Sequence, residues 1–106
     1  MAKYLFKGRY TPEGSAGLLK EGGTSREKVI SGLAQGLGGS LEALYYAFGE
    51  DDVIGIVDIP DTVTAAAILL AVNAGGAVNV KITPLITPAE MDAAGKVMVN
   101  YRPPGA

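Results

Sequence analysis

The stretch Ser40-Leu41-Glu42-Ala43-Leu44-Tyr45-Tyr46-Ala47-Phe48-Gly49-Glu50-Asp51-Asp52-Val53-Ile54-Gly55-Ile56-Val57-Asp58-Ile59 decides the fold. Two runs rich in aromatic and β-branched residues, 40–48 and 53–59, flank Gly49-Glu50-Asp51-Asp52, and such a pair reads as a β-hairpin with a short loop. Both side-chain sets of the pair are largely apolar. Leu44, Tyr46 and Phe48 oppose Leu41, Ala43 and Tyr45, and Ile54 and Ile56 oppose Val53 and Val57. A sheet with one wet face alternates more cleanly, so this hairpin is expected to be covered on both sides.

Outward from the hairpin, the same kind of reading extends to the whole chain. Residues 2–10 alternate Tyr4, Phe6 and Tyr10 against Lys3, Lys7 and Arg9, the period of a strand. Thr11-Pro12 is an N-cap with proline at the first helical position, and Gly22-Gly23 interrupts the helix that follows. Thr24 with Glu27 forms a capping-box pattern for a second helix carrying Val29, Ile30, Leu33 and Leu37, closed by Gly38-Gly39.

Beyond the hairpin, Asp61 caps a helix over 62–74 that ends at Gly75-Gly76. Its apolar residues wrap most of the circumference, which predicts cover on more than one side. Val78, Val80 and Ile82 then alternate as a fourth strand, Pro84 and Pro88 bracket a turn, and Thr87 with Glu90 caps a brief helix through Ala94. Residues 96–101 read either as a fifth strand or as a continuation of that helix. The tail 102–106 is extended, so that 96–106 is an extended or oligomer-docking segment.

The order strand, helix, strand, strand, helix, strand is that of a ferredoxin-like βαββαβ sandwich, an α+β fold with helices on one face of an antiparallel sheet. Covering the second face by pairing two sheets gives a dimeric α/β barrel with a cavity between subunits or beside each sheet. The 106 residues make one domain, 1–106, with 48 % hydrophobic and 19 % charged residues, an apolar surplus that favours a homo-oligomer, dimer or higher.

Nine basic and eleven acidic residues give a net charge of −2 with no long run of either sign, which excludes a nucleic-acid partner. The absence of cysteine and histidine removes disulfides, thiolate nucleophiles and imidazole bases, along with nearly every zinc or haem site. No cofactor is called for. The start Met-Ala-Lys-Tyr has no secretory pattern and the apolar run 65–72 is too short for a membrane span, so a cytoplasmic location is expected.

A set of residues spread over nearly the whole chain resembles the GYD domain. It comprises Tyr4, Gly8, Tyr10-Thr11, Gly14, Gly17-Leu18-Leu19-Lys20-Glu21-Gly22-Gly23, Arg26, Leu37-Gly38-Gly39, Glu42, Tyr45-Tyr46-Ala47-Phe48-Gly49, Asp58, Pro60-Asp61 and Tyr101-Arg102-Pro103-Pro104-Gly105. The resemblance implies a small bacterial or archaeal domain of dimeric α/β-barrel type, in a family of unknown function. The segment that gives the family its name stands here as Gly49-Glu50-Asp51-Asp52, with Asp51 in place of the usual tyrosine.

Several constellations are candidates for chemistry. Glu50, Asp51 and Asp52 are the densest carboxylate group, suited to a hard cation or simply to a solvated hairpin tip; they lack the spacing of a calcium loop, and no metal is expected. Asp58, in an apolar strand, would have a raised pKa if desolvated and could then serve as a general base; otherwise it caps a neighbouring amide. Tyr46 and Phe48 are candidate contacts for a small apolar or aromatic ligand, with Tyr46 assigned to the face that the helices leave free, although core packing alone explains most of the aromatic residues. Gly22-Gly23-Thr24-Ser25-Arg26 joins flexible backbone to a cation, so Arg26 is a candidate ligand contact or part of a plain hinge.

Three functions follow. The first is an oligomeric module that binds a small molecule or self-assembles. The second is a cofactor-independent enzyme, monooxygenase- or isomerase-like, acting on a small aromatic or carbonyl compound with Asp58 or Tyr46 handling the proton. The third is a structural assembly joined through the alanine-rich helix and the tail.

Overall fold

The computed structural model describes residues 2–106. The elements run β1 (Ala2–Tyr10), α1 (Pro12–Glu21), α2 (Gly23–Gly36), β2 (Ser40–Tyr46), β3 (Val53–Ile59), α3 (Thr62–Ala74), β4 (Val78–Leu85) and α4 (Pro88–Gly95). The strands form one antiparallel sheet in the order β2-β3-β1-β4. Placing β3 between β1 and β2 is the split arrangement of a ferredoxin-like fold.

Local chemistry sets the boundaries. The Thr11 hydroxyl accepts the Gly14 amide at 3.1 Å with Pro12 in the first turn, and the Asp61 carboxylate accepts the Thr64 amide at 2.7 Å. Helix α2 ends in a Schellman motif: Gly38, at φ +81°, donates to Gln35 O and Gly39 donates to Ala34 O. Gly22 terminates α1 and caps α2 at once, with φ +92° and ψ 150°, a conformation open essentially to glycine alone.

That glycine also changes the start of α2. The helix begins at Gly23, so Thr24 lies inside it and the expected Thr24–Glu27 capping box does not form. The Thr87–Glu90 box does form, in both directions. Pro84 lies within β4 rather than in a turn, which is tolerated because β4 is an edge strand and one row of its amides has no partner to serve. Residues 96–101 are neither strand nor helix.

Helices α1, α2 and α3 all lie over the face of the sheet that carries Tyr4, Phe6, Val53, Val57, Val78 and Ile82. The buried cluster is small: Tyr4, Ile59 and Ala65, with Val57, Ile68 and Ile82 packed against it. Among the described residues no helix covers the opposite face, which carries Leu5, Ile54, Ile56 and Tyr45 with Lys3, Lys7 and Lys81. Every residue from Pro88 to Ala106 is exposed. The radius of gyration of 16.8 Å exceeds the about 13 Å of a compact chain of this size, and the longest extent is 56 Å. Helix α4 and the tail form an arm that adds nothing to the core.

A β-bulge in β2 corrects one expectation. Leu41 pairs with Val57 and Ala43 with Ile56, so one extra residue is taken up between them and the alternation reverses from there on. Tyr46, paired with Val53, therefore points to the helix side, and Tyr45, paired with Ile54, occupies the open face. Strand β2 stops at Tyr46, which leaves Phe48 beyond it, fully exposed.

Candidate functional site

Between the sheet and its helices lies a cavity of about 460 Å³. Its floor is β1, β3 and β4, through Tyr4, Phe6, Val57, Val80 and Ile82; its roof is α2 and α3, through Val29, Ile30, Leu33, Ile68 and Val72. The volume falls within the roughly 300–1,000 Å³ range of small-molecule sites. The wall is almost wholly carbon, with its charge confined to α1 and the first turn of α2: Glu13, Glu21 and Arg26.

Tyr10, the last residue of β1, brings its phenol to this charged end. Burial raises its pKa, as do Tyr46, Asp52 and Glu21, while Arg26 draws it down; the phenol is protonated at neutral pH and able to donate. Tyr46 stands next to it. Burial likewise raises the Tyr46 pKa, Arg26 opposes this, and its hydroxyl donates to Gly23 O at 3.1 Å.

The structure separates the residues singled out from sequence. Arg26 is part of the cavity wall, and Tyr46 is adjacent through Tyr10 and Gly23. Asp58 lies on the opposite face of the sheet, bound to Lys3 at 3.2 Å, and Lys3 also reaches Glu42 at 3.2 Å. Asp58 and Tyr46 therefore do not address a common site.

At the hairpin tip, Asp52 is structural: its carboxylate accepts the Tyr10 amide at 2.8 Å, and its own amide donates to Gly8 O at 2.8 Å. The Glu50 carbonyl accepts from Arg9 at 2.6 Å. Among the described residues no three acidic side chains converge as a metal site, and Glu50, Asp51 and Asp52 do not form one. Sequence reasoning passed over Tyr10 as a site residue, and the signal was present in its alternation with Tyr4 and Phe6, whose shared face is the cavity floor.

The GYD domain model matches residues 4–94, which takes in the sheet, the roof helices and nearly all of α4. The chain belongs to the GYD domain family. No curated protein and no solved structure matches it. The GYD match ends before Gly95, so the last part of the arm lies outside it. Among the described residues, no helix is long and apolar enough to cross a membrane.

Proposed function

We propose that this GYD domain is a small-molecule-binding module that works as a homo-oligomer. The cavity under α2 and α3 carries the reading. A chain of 106 residues that wanted only stability would fill such a space, because packing is where a small core gains its free energy. Its carbon-lined wall suits an apolar or aromatic guest of modest size.

Association is supported by what the fold leaves bare. Tyr45 is 73 % exposed on the open face of the sheet, beside Leu5, Ile54 and Ile56, and α3 turns Val63 and Leu70 to solvent. A second copy laid sheet against sheet would cover the first group, in the manner of a dimeric α/β barrel, and its assembly partners could use the second.

Native mass spectrometry of protein purified without added ligand tests both halves. The expected spectrum is an oligomer that carries a small molecule released on denaturation. Ile30→Trp, which fills the cavity from its roof, should remove the guest and leave the oligomer. A bare monomer at micromolar concentration overturns the proposal.

A further inference from the structure

We infer that the guest of this cavity is an organic acid, an apolar body ending in one anionic oxygen group that is seated on Arg26 beside the Tyr10 hydroxyl. This rests on the cavity being a ligand site and adds the chemical class of the ligand.

Among the described residues, Arg26 is the sole cation on the cavity wall. It is only partly exposed, yet among those residues it forms no ion pair and its guanidinium donates no hydrogen bond. A guanidinium is a planar fork of donors that matches the two oxygens of a carboxylate, and its pairing with an anion strengthens as water is excluded. The cavity places a carbon wall behind the guanidinium and the Tyr10 hydroxyl alongside it.

Two carboxylates, Glu13 and Glu21, also border the space, but both belong to exposed positions on α1. At the phenols Arg26 outweighs each single carboxylate, Asp52 and Glu21 at Tyr10 and Glu27 and Glu21 at Tyr46. The Tyr46 hydroxyl donates to Gly23 O and stands within hydrogen-bond range of Tyr10, and of the two phenols Tyr10 is the one that lines the space.

Two naphthyl probes of nearly equal shape test the inference on the full chain: the anionic 1-anilinonaphthalene-8-sulfonate and the neutral N-phenyl-1-naphthylamine. The anion should bind about tenfold more tightly or better, the factor expected of one charge-assisted pair. Arg26→Gln should weaken the anionic probe by about tenfold and leave the neutral one within about twofold, while Arg26→Lys should keep part of the preference. Ile30→Trp should displace both probes, with circular dichroism confirming that each variant is folded.

Equal binding of the two probes, or an Arg26→Gln variant that binds the anion as well as the parent does, overturns the acid-binding inference while leaving the cavity reading intact. Failure of both probes to bind, or binding that Ile30→Trp does not touch, rejects the cavity as a ligand site and the acid with it.

Discussion

The hydroxyl of Tyr46 donates to the carbonyl oxygen of Gly23 at 3.1 Å, and a β-carbon at position 23 would come within 2.9 Å of the Tyr46 ring. The contact ties the end of β2 to the start of α2, at the charged end of the cavity. It exists because the bulge after Leu41 turns Tyr46 inward.

Tyr46→Phe removes this bond and keeps the ring. Urea unfolding should show a loss at the lower end of the about 0.5–1.5 kcal/mol of an ordinary hydrogen bond, since water competes at a partly exposed site. A loss of several kcal/mol would mean that the ring has moved as well.

A β-carbon at position 55 would run into the ring of Phe6 and come within 2.7 Å of the Ala43 carbonyl oxygen. Gly55→Ala should therefore cost about 1–3 kcal/mol in chemical denaturation, the range for overpacking. Phe6→Leu in the same chain should return part of that loss and not all, because the Ala43 carbonyl stays in place. Simple additivity of the two changes would contradict this geometry.

The Asp61 carboxylate is held below its ordinary pKa by the amide and hydroxyl of Thr64 at the start of α3. A depressed folded-state pKa gives stabilisation that is present above the unfolded value and is lost as pH falls through the folded one. Below about pH 5, Asp61→Asn should flatten the pH dependence of the melting temperature. An acid slope identical to that of the parent would remove Asp61 from the account.

Asp58 answers Lys3 on the open face, remote from the cavity. Lys3 is raised in pKa by its hydrogen bonds to Glu42 and Asp58, so its share of stability is present below the ordinary lysine value and fades as pH rises through the folded one. Asp58→Asn should lessen that alkaline loss and leave binding of both naphthyl probes unchanged. A change in probe affinity would bring Asp58 back as a site residue.

Removing residues 96–106 should leave the melting temperature essentially where it is, because every one of them is exposed. Light scattering of the eluted protein should show a smaller assembly. An unchanged mass would exclude this part of the arm from association.

The architecture was legible where a residue's role is local. Thr11, Asp61 and the Thr87–Glu90 pair are caps that act over three residues, and β1, β3 and α3 lie where alternation and capping put them. The bulge was not, because an extra residue in β2 shows itself only against its partner strand, and the side of the sheet to which Tyr46 points depends on it. Arg26 was readable as a cation near a flexible turn. Its place on a cavity wall was not, because that requires the packing of α2 over β2 and β3.

The floor of the cavity is a hydrogen-bonded ladder in which β1 and β3 are each held from both sides, whereas the roof is made of α2 and α3, and α2 joins α1 at Gly22. Bending the ladder breaks many bonds together; rotating one helix about a single residue breaks few. In the proposed binding role, guests of unequal length would therefore be met by tilting above and not by yielding below, and guests of unequal girth would be told apart.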